Sequence, residues 1–264
     1  MISQKKKFFN KFKNRLSKYI SKNDSIYIEF DTTKFRLDNV KFKNRNQFVN
    51  FYFNLFKQLI GSESLFITPS FSYSFGKNEK NKIFDIKKSI PRTSIIAKYL
   101  FKRKNISRTM DPMFSVLIFG KNRKKYIVSN NDSFGPNSIF DKIFKENFKL
   151  ISFGIDKFDP TFVHYVEQYF NEFKKKIKYR KIYTINGTII NKIKKKMTYK
   201  SFLRVLSKKR VYDEKNILDD LKKQKKIIHM KIFNGNIYIC NAQDYFNQAI
   251  KGLSKNINYL SKKI

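Results

Sequence analysis

Three short runs follow one another between Ser107 and Gln168: SRTMDPMFSVLIFG (Ser107–Gly120), NDSFGPNSIFDKIF (Asn131–Phe144) and LISFGIDKFDPTFVHYVEQ (Leu150–Gln168). SVLIF and LISF are short, β-branched and aliphatic, and each is closed by a glycine, Gly120 or Gly154, as buried strands running into turns are. Each is followed by a loop, and the last then opens a helical segment. His164, one of two histidines in the chain, stands there three positions before Glu167. Residues three apart share one face of a helix, so an imidazole and a carboxylate are able to point into one pocket, the minimum equipment of a general base.

On the N-terminal side, SIYIEF (Ser25–Phe30) reads as a strand ending in Asp31-Thr32-Thr33, and Gln47 to Ile60 as a helix stopped at Gly61. Leu65 to Thr68 is a second short strand, ended by Pro69, and a helix is predicted from about Arg92 to Phe101. The repeated strand, loop and helix predict an α/β fold with a mostly parallel central sheet flanked by helices. From Asn171 to Lys209, lysines alternate with β-branched residues around an Asn186-Gly187 pair. This predicts a β-rich insertion, 171–209, with a hairpin turn at NG, inside a single domain spanning 1–264. IIHMKIFNGNIYIC predicts another hairpin turning at NGN, with helices at Asn216–Gln224 and from Asp244 toward Leu260.

With 264 residues, 41% hydrophobic and 30% charged, the chain can bury a full core. Lys and Arg number 58 against 20 acidic residues, a formal charge of +38, which usually marks a partner that is a polyanion. Lys, Asn, Ile, Phe and Tyr are abundant together while Gly and Pro are scarce and Trp is absent, so an AT-rich coding bias is the favoured account of the charge, ahead of a dedicated nucleic-acid surface. No aromatic RNA-recognition signature or zinc-ligand spacing is found, and no specific nucleic-acid partner is expected. Cys240 is alone, which rules out a disulfide framework and fits a reducing, cytoplasmic setting. No apolar run reaches the roughly 18 residues of a membrane span. KKKFFNKFKNRLSKYI at the N-terminus is a basic amphipathic helix whose Phe8, Phe9, Phe12, Leu16 and Ile20 suit packing on a core, or less readily an anionic membrane surface.

In order, TPSFSYSF (Thr68–Phe75), IPRTS (Ile90–Ser94), SRTMDPMFSVLIFG, FGPNSIF (Phe134–Phe140) and GIDKFDPTFVHYVEQ (Gly154–Gln168) resemble the motifs of the aminoglycoside 3-N-acetyltransferase family, in particular its surface-polysaccharide branch. The resemblance spans nearly the whole chain. One departure stands at the end of the first strand, where relatives carry H-S-S or H-S-D and this chain has Glu29-Phe30-Asp31.

The resemblance implies transfer of an acetyl group from acetyl-CoA, as co-substrate, to a primary amine on a sugar. Such a reaction needs a base, an oxyanion site and a slot that holds thioester against amine. His164 is then the base, with a pKa near neutrality, and Glu167 orients it or binds the incoming ammonium. Coenzyme contacts are expected from Asp31, Thr32, Thr68, Ser70, Arg92, Arg108, Ser115 and Ser138, and acceptor contacts from Tyr73, Asp111 and Thr161. Several of these have structural alternatives. Arg108 and Asp111 can form an ion pair fixing a turn, Ser138 can cap the helix beginning near Ile139, and Arg92 can be a surface arginine. Tyr73 and Phe75 are the aromatic candidates for stacking on a sugar or adenine ring. The acceptor expected is an amino sugar, nucleotide-linked in one version, since a +38 protein should repel a polycationic aminoglycoside. An aminoglycoside-modifying enzyme, a basic RNA- or ribosome-binding protein and an inactive scaffold are the competing readings.

Overall fold

The structure, a computed structural model, describes residues 4–35, 40–127 and 131–264. In chain order, the first half holds α1 (Gln4–Leu16), β1 (Ile26–Phe30), α2 (Arg45–Leu59), β2 (Phe66–Pro69), β3 (Ile83–Asp85), α3 (Ile95–Leu100), β4 (Ser107–Arg108) and β5 (Val116–Phe119). The second half continues with α4 (Ile139–Lys145), β6 (Lys149–Phe153), α5 (Val163–Phe173), β7 (Arg180–Asn191), β8 (Ile193–Arg204) and β9 (Arg210–Tyr212). It ends with α6 (Lys215–Lys223), β10 (Ile227–Ile232), β11 (Gly235–Asn241), α7 (Ala242–Lys255) and β12 (Ser261–Lys263).

The main sheet has seven strands in the order β10-β11-β6-β1-β2-β5-β4. Its central strands β6, β1 and β2 are parallel, as strand-loop-helix repetition requires, and antiparallel strands extend it on both sides. Period-two alternation splits the strand residues between two cores. Ile26, Ile28 and Phe30 of β1 join Phe66, Ile151 and Phe153 beneath α1, α2 and α3, whereas Tyr27 joins Ile67, Val116 and Leu150 beneath α4, α5 and α7. Glu29 shares the face of Tyr27, so the sheet aims a carboxyl toward the α5 side.

The basic N-terminal helix packs on the core: Phe12 and Leu16 are fully buried, and Phe8 stacks on Phe233 with centroids 4.5 Å apart. Among the described residues no helix is long and apolar enough to cross a membrane. Helix α2 begins at the Asn44 cap, whose side chain accepts from the Gln47 N–H, and α3 begins at Ser94, which accepts from Ala97.

Both hairpin turns differ from the sequence expectation. Strands β7 and β8 pair from Arg180↔Arg204 to Asn191↔Ile193, so the turn is at Lys192 and Gly187 lies inside β7. β3 adds to this hairpin in a separate three-stranded sheet. Gly187 serves close approach instead of turning: a Cβ there would stand 2.3 Å from the Phe75 ring and 2.7 Å from the Lys82 carbonyl oxygen. Gly187→Ala should lose about 1–3 kcal/mol of stability through this overpacking, read as a lower urea midpoint at unchanged slope. The last hairpin turns at Phe233-Asn234, one residue early, because Ile232 pairs with Gly235.

Candidate active site

The carboxyl ends of β1 and β2 and the N-terminal end of α5 enclose a cavity of about 400 Å³. Phe30, Thr68 and Pro69 come from the strand ends, Phe71 and Tyr73 from the following loop, Arg92, Thr93 and Ser94 from the entry to α3, and Asp159, Thr161 and His164 from the α5 side. Glu29 completes the wall. Ligands of open α/β sheets bind beyond such strand ends because the loops there diverge. Gly154, at φ +82, lets β6 end against this region; a Cβ would fall 1.9 Å from the Asp31 carbonyl oxygen.

His164 stands on the first turn of α5. Its Nδ1 lies 3.0 Å from Glu167 Oε2, so a neutral imidazole donates Nδ1–H to the carboxylate and keeps its Nε2 lone pair. The two differ in access: 18% of the His164 side chain is exposed against 1% for Glu167. The imidazole therefore reaches the cavity and the carboxylate stays behind it. Phe114 and Phe134 pack edge-on against the ring. Arg180, the first residue of β7, sets its Nε 2.7 Å from the same Glu167 oxygen, with Nη2 3.5 Å from His164 Nε2.

These neighbours set the protonation states. Burial and then the Arg180 guanidinium pull His164 down to about 4, against the opposing pull of Glu167, so the imidazole is neutral across the physiological range and less basic than the near-neutral value expected from the sequence. Burial pushes the Glu167 carboxyl up, but Arg180 and His164 outweigh it and hold it below its ordinary value.

Glu29 behaves in the opposite way. Its Oε1 accepts from the Tyr27 hydroxyl at 2.9 Å and from the Thr161 backbone N–H at 2.8 Å. Burial outweighs those bonds and raises its pKa from 4.5 to about 7. The folded state then holds this proton more tightly than the unfolded chain, so stability falls as pH rises from about 4.5 through about 7. Glu29→Gln should accordingly be more stable than the parent at pH ~8 by about 1–3 kcal/mol, with the gain fading toward pH ~4. Thermal melts of both proteins across that range check it.

The sequence-predicted residues separate into three groups. His164, Thr68, Arg92, Tyr73 and Thr161 line the cavity, and Arg92 is paired with Glu79 at 3.0 Å. Asp31 and Thr32 line an adjoining groove that shares Thr93 and Ser94 with the cavity. Asp31 caps the turn after β1 by accepting from Thr33. Ser70, Arg108, Asp111, Ser115, Ser138 and Glu167 lie outside the cavity lining and are buried.

Their partners explain why. Arg108 does not pair with Asp111. Its guanidinium donates to the backbone oxygens of Ser70 (2.6 Å) and Ser89 and to Ser115 Oγ, and it stacks over the Phe84 ring, so it ties the loop after β2 to the turn before α3. Asp111 accepts from the Met113 and Phe114 N–H groups at 2.7 Å each. Ser115 and Ser70 bond each other, and Ser138 caps α4. Phe75 is fully buried against Gly187, which removes it as a stacking platform.

Glu29, Asp159 and Arg180 escaped the sequence reading as site residues. For Glu29 there was a signal: a charged residue in an otherwise apolar five-residue strand is costly to bury and calls for a reason. Arg180 is lost among the lysines that surround it, and Asp159 has no local mark. Glu29 and Asp159 also give the cavity an acidic wall that the overall charge of +38 conceals.

Comparison with known proteins agrees with this architecture. Solved structures similar to the chain include AAC-IIIb in a binary complex with CoASH (13% identity, TM-score 0.73, 94% of this chain and 96% of that one covered). AAC-VIa bound to sisomicin is similar at 12% identity and TM-score 0.74, covering 94% and 97%. The YokD protein from Bacillus subtilis is similar at 13% identity and TM-score 0.68, covering 93% and 94%. At such identities these likenesses establish the fold. A search of curated protein sequences finds no match. The model of the aminoglycoside 3-N-acetyltransferase family, however, matches residues 41–254, and the chain belongs to that family of N-acetyltransferases, whose co-substrate is acetyl-CoA.

Proposed function

We propose that the protein acetylates a primary amine on a sugar by direct transfer from acetyl-CoA, with His164 as general base. The observation that carries this reading is the partly exposed imidazole lining the cavity, whose Nδ1 is tied to the buried Glu167, leaving Nε2 as proton acceptor. Arg45, Lys88, Arg92 and Lys98 line the groove that adjoins the cavity through Arg92, Thr93 and Ser94. Cations there suit the phosphates of coenzyme A and direct the thioester end toward Thr68 and His164.

The acceptor favoured by the polysaccharide-branch motifs is an amino sugar used in building a surface polysaccharide, nucleotide-linked or free. A second reading, modification of an aminoglycoside, is favoured by a specific observation: Glu29 and Asp159 face the cavity, so a cationic acceptor is attracted locally even though the protein as a whole repels it. Purified protein, acetyl-CoA and a panel holding nucleotide-linked amino sugars, free amino sugars and sisomicin decide the matter through release of free thiol. Saturable turnover of an amino sugar supports the first reading, turnover of sisomicin alone supports the second, and no turnover with any amine removes both.

A further inference from the structure

The geometry points to Glu29 as a second proton-accepting group of the site, one that binds the acceptor's ammonium and takes its first proton, so that His164 takes only the second. This rests on the acetyl-transfer reading above. Glu29 and His164 line the same cavity from opposite elements, the end of β1 and the first turn of α5. They are also mechanically joined: Thr161 donates its N–H to Glu29 Oε1 and accepts from the His164 N–H at 3.0 Å. The Tyr27 hydroxyl donates to the same carboxyl oxygen, Oε1, from below.

No cation among the described residues neutralises this carboxyl. Arg180 pairs with Glu167, Arg92 with Glu79 and Lys34 with Asp156. A carboxyl fixed at a cavity wall without a counter-ion is a binding site for a cationic group brought in by a ligand. Its affinity for a proton near neutrality, above that of the imidazole beside it, agrees with this assignment.

The reaction needs two proton acceptors. A sugar amine enters as an ammonium and must lose one proton before it has a lone pair, then a second as the N–C bond forms. Glu29 accepts the first. As nitrogen attacks the thioester carbon and the C–S bond breaks, His164 accepts the second and returns it to the departing thiolate. The products are the amide and the free thiol, and Glu29 releases its proton to solvent, so charge and atoms balance without a further reactant.

The test uses Glu29→Gln, whose amide oxygen can still accept from Tyr27 and Thr161, and follows two readouts. With carboxyl-13C glutamate incorporated, the resonance missing from the variant identifies Glu29. Glucosamine should lower its titration midpoint by about one unit, as a nearby cation does, while N-acetylglucosamine leaves it in place. In the kinetic arm, with whichever amine the protein acetylates, the variant should lose roughly 10–100-fold in kcat/KM near neutral pH and regain most of it where the amine is already unprotonated. His164→Ala should show no such recovery.

A Glu29 midpoint indifferent to glucosamine, or a loss of the same size at every pH, overturns the proposal and leaves Glu29 a structural residue. Absence of turnover by the parent protein refutes the acetyl-transfer reading instead, and the resonance titration still judges the amine contact. Unaltered melting of the variant at pH ~5, where the parent carboxyl is protonated, shows that any lost rate is not lost folding.

Discussion

His164→Ala should lower kcat for acetyl transfer by ~10²–10⁴-fold while leaving KM for acetyl-CoA close to its parent value. The expectation follows from the placement of the ring. Glu167 accepts Nδ1–H and thereby fixes both tautomer and orientation, and the residue beside the cavity retains Nε2 as the acceptor. The coenzyme's phosphates would be held by the separate groove containing Arg45, Lys88 and Lys98, which the substitution does not touch. Thiol release under saturating acetyl-CoA measures the effect. Equal rates for parent and variant would end the role assigned to this histidine. Acidification should weaken the fold through the same residue: the native imidazole binds its proton only near pH 4, the unfolded one near 6.5, so stability is lost as pH falls through that interval.

Arg180→Met should cost about 3–5 kcal/mol of stability at neutral pH, because it strands the Glu167 carboxylate, 1% exposed, without its cation. The double variant Arg180→Met with Glu167→Gln should recover much of that loss, since it removes the stranded charge as well. A urea-denaturation cycle over the parent, both single variants and the double variant reads the coupling. Activity should respond separately. Arg180 depresses the basicity of His164 from the Nε2 side, so removing it should raise the imidazole's pKa and move the acid limb of kcat/KM upward. A loss of stability with no change in the pH profile would mean that Arg180 only supports Glu167.

The partnership also shows why part of the site was hidden. His164 and Glu167 could be paired from sequence because helical periodicity is local: three positions along one helix determine a shared face. SIYIEF and LISF were legible as strands for the same reason, their β-branched and aromatic residues fitting a buried pleat. Asn186-Gly187 misled because the same dipeptide that favours a turn also satisfies a different need. Here glycine makes room for the Phe75 ring and the Lys82 backbone, and Lys192 takes the left-handed turn conformation instead, at φ 61. A lysine at that position carries no turn signal.

Net charge is a coarse guide to what the cavity binds. It is a sum over the chain, whereas a ligand meets the few groups that converge on a cavity, at short range and with little screening. Arg108 was ambiguous between coenzyme contact and turn support until its donors were traced to Ser70, Ser89 and Ser115.

Local periodicity and short contiguous patterns were enough to establish the α/β class, the parallel centre of the sheet, the ordered family motifs and the His164–Glu167 pair. What those two residues face came from the three-dimensional packing. The Thr161 N–H that holds Glu29 comes from 132 positions away, and Arg180 arrives at Glu167 from a strand of another sheet. Such contacts depend on how sheet and hairpin close on each other, and they set the charge and proton affinity of each group through burial and neighbours that no linear pattern records.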